Sequence, residues 1–387
     1  MKYIEFGKIN KKLLIPVLGG ILMLIIFYII KIIPKYDVTS KNPLILNIYV
    51  SIGMILAFIP HLILKNKIKK HRPVSKVLQV NPKYSIDIIR ERVRKKIIIK
   101  KYLLILCSEV FDFAQIALVS FFSFKCIYNF WTFNILLMSL FSRLILKIQL
   151  YKHQYISIII IIVFGLIMNI LEYYKKVDVE DKLDILGISM TFLSEICLCL
   201  SMVIIKYNME KNFCSPYEIC IWEGTLSLIF NTIILIVANC LKLNFMGFKH
   251  PDNFYDLFGN YDIYDFLVCL VEVILNAIYN IILFTTCYFF DPCYILITLI
   301  IIQLYHSLET FNNAVLNILS FICLIIVSLV FLVYIEIIEV NIFNISYNTK
   351  KNIITRSLTE SFIENDESIN PIDDISSNGE DENPSLQ

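Results

Sequence analysis

Ten runs of roughly twenty apolar residues succeed one another along the chain, at 13–33, 44–64, 102–121, 126–146, 154–171, 184–205, 217–240, 263–286, 292–311 and 314–338. About twenty residues at a helical rise of ~1.5 Å cross the ~30 Å hydrocarbon core of a bilayer, so the recurring length is that of a membrane span. In lipid only helices and closed barrels satisfy their own backbone groups, and apolar runs this long belong to helices. The reading is an all-α membrane protein with ten transmembrane helices. Composition agrees: the chain is 57% hydrophobic and 18% charged, against about 45–50% and about 25% in soluble domains. The first run is too long for a cleaved signal and a second follows at once, so it is read as a span.

Lysine and arginine orient the spans. Lys2, Lys8, Lys11 and Lys12 precede the first, fourteen Lys or Arg crowd 65–101, and Lys147, Lys152, Lys206 and Lys211 come later. Alternation of ten spans puts all of them on one side. The other side receives Lys35, Lys41, Lys125, the mixed 172–183 and the acidic-aromatic 243–262. Both termini are therefore expected in the cytosol, with 1–12 as the N-terminal segment and 339–387 as the tail. The loop 65–101 fixes topology, with binding of anionic lipid or a nucleotide as its alternative role. Its end, 86–101, reads as a basic amphipathic helix at the membrane surface. From Ser357 the tail has nine carboxylates and no Lys or Arg, a composition that cannot bury enough surface to fold. Asn344-Ile345-Ser346 fits the glycosylation pattern but would face the cytosol unused.

Two helix starts are written plainly. Ser215-Pro216-Tyr217-Glu218 is a capping box with proline in the first turn, and Asp291-Pro292 opens the ninth span. The eleven Cys lie mostly inside apolar runs and form no CxxC pair. Neither zinc nor a disulfide framework is indicated, and no metal or cofactor is expected. Cys197 and Cys199 are read as packing residues.

Polar residues inside the spans are the candidate chemistry. Span three carries Glu109, Asp112 and Gln115. A carboxylate at bilayer depth costs at least ~2.5 kcal/mol on insertion scales, and spacing i, i+3 puts both acids on one helix face. They could line a wet cavity as a solute or proton site; the alternative is one acid at a water-wide opening and one simply protonated. Span eight repeats the oddity with Glu272, Asn276 and Asn280 at i, i+4, i+8. Those asparagines could equally serve only as interhelical hydrogen-bonding groups. Span four adds Trp131, Thr132 and Asn134, and span nine Gln303 and His306. Arg143 and Glu309 sit near span ends and read as snorkelling to the interface. Glu195 and Glu223 are intramembrane or nearly so; for Glu223, under two turns from a span end, facing water is the alternative. Spans five and ten are apolar all round and look peripheral.

Five spans on either side of the middle loop make two halves, 13–171 and 184–338. A repeat of five helices must insert in opposite senses, with a site expected near the midplane between the halves. At this point the residues meet a family. LFSRLILKIQLYKHQYISIIIIIVFGLIMNI (140–170), YNMEKNFCSPYEICIWEG (207–224) and FLVYIEIIEVN (331–341) resemble the drug/metabolite transporter superfamily. Within it they are most similar to the F subfamily of solute carrier family 35. The resemblance implies alternating-access transport of a small organic metabolite in an internal membrane such as Golgi, endosome, vacuole or plastid. The Gly-Ala-Leu-Asn-Lys motif of the guanosine-sugar carriers is absent, which argues against a GDP-sugar.

Closely spaced carboxylates in a low dielectric cannot all ionise cheaply, so Glu109 and Asp112 are expected to share protons. They would bind a cationic or amine-bearing solute, or couple transport to a proton. The expected partners are a small organic solute and the bilayer, with no nucleic acid, in a monomer or homodimer. The five His are scattered, so a membrane transferase lacks a catalytic cluster; no catalytic residue is assigned and the chain is not read as an enzyme. A scaffold or receptor with a transporter fold is the main rival, and no filter-like repeat supports a channel.

Overall fold

Helices account for nearly all of the computed structural model, which describes residues 4–6, 11–32, 43–71, 84–122, 130–176, 185–212, 214–241, 263–309 and 314–340. The middle of the basic loop (72–83), the Asn344 acceptor and the acidic tail from 357 lie outside the described residues. The helices are α1 (Leu14–Ile32), α2 (Pro43–Ile55), α3 (Phe58–His71), α4 (Tyr84–Phe122), α5 (Asn134–Phe141), α6 (Lys152–Lys176), α7 (Ile185–Asn212), α8 (Pro216–Leu241), α9 (Ile263–Phe289), α10 (Leu296–Glu309) and α11 (Ala314–Tyr334). Among the described residues, five are long and apolar enough to cross a membrane: Asn47–Leu64, Lys152–Leu171, Gly187–Asn212, Cys269–Phe289 and Val315–Tyr334. The protein is a helical, membrane-embedded chain.

Local sequence explains the irregular helices. The second apolar run is split into α2 and α3 by a turn at Leu56 and Ala57. Pro60 is the cause: it lacks the N–H that would reach the Leu56 carbonyl, and its ring crowds that carbonyl. The fourth run begins as a 3-10 turn (Phe130–Phe133), continues as α5 and ends in a π-helical turn (Ser142–Leu146). The ninth also begins with a 3-10 turn, Pro292–Ile295, on an extended Asp291. The basic stretch does not lie as a separate surface helix. It is continuous with α4, a single helix of 39 residues, ~58 Å long at ~1.5 Å per residue and longer than any bilayer core.

The larger helix contacts fall into pairs. α4 packs on α7, and α1 on α9. α5 packs on α7, and α1 on α10. α4 packs on α8, and α2 on α9. α5 meets α6 as α10 meets α11, while α2–α8 and α6–α11 are contacts of their own kind. One asymmetry stands out: α9 also reaches α8 and α7. The span windows of α6 and α11 are 33% and 28% buried, against 44% and 50% for α7 and α9. The window over α2 and α3, Asn47–Leu64, is 28% buried as well, so low enclosure is shared by helices with and without polar residues.

Among the described residues, one small element departs from an all-α fold. Strand β1 (Ile4–Phe6) pairs antiparallel with β2 (Ile338–Val340), matching Ile4 with Val340 and Phe6 with Ile338. The beginning of the chain and the end of its last helix therefore meet.

Candidate functional site

Glu109 and Asp112 do share a face of α4, and that face meets α7 and α8, where a third acid joins them. Glu109 is 3% exposed, Asp112 is half-buried, and Glu223 of α8 is 1% exposed. All three carboxyl groups interact electrostatically. Among the described residues none of the three forms an ion pair with Lys, Arg or His. Three acids held out of water with no cation are costly unless protons or a bound cation offset the charge.

Hydroxyl groups complete the cluster. Ser108 Oγ lies 2.8 Å from both Ile105 O and Glu223 Oε1. One hydroxyl proton cannot serve two acceptors; a proton on the Glu223 carboxyl, donated to Ser108, satisfies both. The other oxygen, Glu223 Oε2, is buried without a hydrogen-bond partner. Ser227, one turn beyond Glu223, lies at Glu109 and 2.9 Å from Ser51 of α2. Asn231 Nδ2 donates to Ser227 Oγ at 3.1 Å. Ser201 of α7, fully buried, sits at Asp112.

Two glycines allow this closeness. At Gly224, next to Glu223, a Cβ would fall 2.6 Å from Met54 Cβ and 2.8 Å from Ser51 O. At Gly53 it would fall 2.6 Å from Val273 O of α9. Helix α2 is thereby wedged between α8 and α9, with Ser51 reaching the acid cluster and Gly53 touching the α9 stripe. Only backbone this bare permits such contact.

The α9 stripe is enclosed, and its two asparagines bond along their own helix. Glu272, Asn276 and Asn280 are all buried. Asn276 Nδ2 donates to Glu272 O at 3.0 Å, and Asn280 Nδ2 to Asn276 O at 2.9 Å. The two asparagines therefore bond back one turn, and neither amide N–H recorded here crosses to another helix. The stripe meets α2 at Gly53, where an added Cβ would lie 3.5 Å from Asn276 Cβ.

A second polar group forms on the other side of α7. Asn134 Nδ2 donates to Glu195 Oε2 at 2.7 Å. Trp131 Nε1, Thr132 Oγ1 and Asn134 Oδ1 are buried there without hydrogen-bond partners. The rings of Phe130, Phe133 and Phe192 pack edge-on beside them with centroids 5.8–6.1 Å apart. Gln115 and Gln303 are half-buried on α4 and α10. His306 belongs to α10, but its side chain lies outside the described residues.

Glu109 and Asp112 thus lie together with Glu223, Asn134 lies apart from them beside Glu195, and the burial of Glu223 decides against its water-facing alternative. A signal was present. Glu223, Ser227 and Asn231 stand at i, i+4, i+8, the same narrow stripe as Glu272, Asn276 and Asn280. Among the described residues no three His, Cys, Asp or Glu converge as metal ligands. No protein-family model matches the chain, and no curated protein matches it either.

Proposed function

We propose that the chain is a secondary transporter that moves a small organic metabolite by alternating access, with Glu109, Asp112 and Glu223 as its proton-coupling or cation-binding centre. One observation carries the reading: Glu109 and Glu223 are buried among helices beside a half-buried Asp112, with no cation paired to them among the described residues and with Glu223 Oε2 unsatisfied. Intramembrane acids are expensive and mark ion or solute pathways. A trio that exchanges protons, or an amine for protons, explains why the cost is borne.

The architecture belongs to the proposal. We read α1 to α6 as five spans, with α2 and α3 forming one, and α7 to α11 as five more. Exchanging each span with the one five places on turns α4–α7 into α9–α1, α5–α7 into α10–α1 and α4–α8 into α9–α2, while α2–α8 and α6–α11 map onto themselves. That is the contact pattern of two inverted repeats. The matching 3-10 starts of spans four and nine support it further. The β1–β2 pair supports an even number of spans, because it joins segments on one side of the membrane. The lysines assign that side to the cytosol, and the resemblance to the solute carrier 35 group favours an internal organelle membrane.

The test begins with a metabolite screen for stabilisation of the purified protein. The solute found is then followed in proteoliposome exchange. The wild-type rate should depend on pH, and Glu109→Gln with Asp112→Asn should remove that dependence and cut the rate at least ~tenfold, the effect of ~1.4 kcal/mol on a barrier. Unchanged rate and pH dependence would take the acids out of the mechanism. Binding with no exchange would favour a receptor.

A further inference from the structure

The turn after the fourth span builds a basic hollow that the transport site does not use. A cavity of about 430 Å³ is lined by Arg143, Lys147, Ile148, Gln149, Leu150 and Tyr155. Its polar lining is two cations, an amide and a phenol; no carboxylate takes part. The sequence contains no Asp or Glu from 113 to 171, so the span and turn that carry Arg143 and Lys147 bring no acid of their own.

The backbone here is unusual in a way that shapes the hollow. The helix loosens into a π-turn at Ser142–Leu146, and Lys147 follows in the left-handed region with φ 59°. A non-glycine residue there is disfavoured, and π-turns recur at functional sites. Arg143 Nη1 donates to Tyr155 OH at 2.6 Å. This clasp ties the end of span four to the first turn of α6 and sets the plane of the guanidinium, leaving its other N–H groups free for a ligand. His153, also in the first turn of α6, has its Nε2 3.3 Å from Glu336 Oε1.

We infer that this hollow binds the phosphate of an anionic phospholipid. Arginine matches phosphate oxygens with paired N–H donors, and Lys147 adds a second charge. The hollow opens at the end of a membrane span, the depth of headgroups. Ile148 and Leu150 form apolar walls, and Leu144, Ile156 and Ile159 on the adjoining helices are exposed. A soluble phosphate has no use for such surface, whereas an acyl chain does.

The experiment uses the full chain in detergent with short-chain phospholipids, read by native mass spectrometry. Dioctanoyl phosphatidate and phosphatidylserine should bind on the order of tenfold more tightly than dioctanoyl phosphatidylcholine. Arg143→Gln with Lys147→Asn should remove the preference, asparagine being chosen because it tolerates the left-handed backbone. Arg143→Lys, which keeps the charge, should retain part of it, and an unchanged melting temperature shows that the fold survives. The inference is overturned if the double variant keeps the preference, if the choline lipid binds as well, or if inorganic phosphate competes as strongly as the lipids.

Discussion

Glu223 shows how one side chain can be read two ways. Near the start of a span it passes for a water-facing acid; packed under Ser108 and beside Gly224 it is fully enclosed. Its neighbours are contributed by α2, α4 and α7, and no local pattern reports them. Glu223→Gln keeps the shape and the Ser108 contact, so stability should change by less than ~1.5 kcal/mol, while pH dependence of exchange should fall. Just before the third span, Lys101 of α4 forms a 2.5 Å pair with Glu218 in the first turn of α8. Burial alone would lower the Lys101 pKa, but the Glu218 carboxylate outweighs it and holds Lys101 above its ordinary 10.5. A raised lysine gives its full stabilisation below that ordinary value and loses it only as pH rises through the folded one. Lys101→Met should therefore cost about 1.5–3 kcal/mol at pH 7, by thermal denaturation, with the deficit constant from pH 6 to 9. Burial also pushes the Cys214 thiol up to about 12, so maleimide should label it only after unfolding.

Elements were legible where one local rule governs. The serine cap at Ser215 is realised, with Glu218 N donating to Ser215 Oγ at 3.1 Å, and the break ahead of Pro60, which counting 44–64 as one span passed over, follows from proline chemistry. The continuity of α4 was not legible, because a change from basic to apolar composition leaves helix propensity intact. Nor was the role of the glycines, which depends on the partner helix. Gly224→Val should drive α2 from α8, and overpacking of this kind costs about 1–3 kcal/mol, seen as a lower melting temperature. Gly165→Val should behave alike against Thr132, whose Oγ1 would lie 2.2 Å from an added Cβ. Thr132→Gly should relieve that second clash and leave the first untouched.

At the scale of the molecule, span lengths and charge bias made the helical membrane character readable, since both come from the bilayer rather than from tertiary detail. Packing order was not readable, because lipid-facing and protein-facing surfaces are equally apolar. The β1–β2 register offers a check on the closed arrangement. Cysteines placed at Glu5 and Glu339, opposite one another, should form a disulfide under mild oxidation, and failure to cross-link would separate the two ends. The account rests most heavily on the enclosed carboxyl trio, and carbodiimide modification mapped by mass spectrometry reads it directly, because the reagent attacks protonated carboxyl groups in apolar surroundings. The account predicts adducts on Glu109 and Glu223, fewer as pH rises and fewer still when the transported solute is present. Acids that stay unmodified at every pH, or adducts that the solute leaves unchanged, would contradict it.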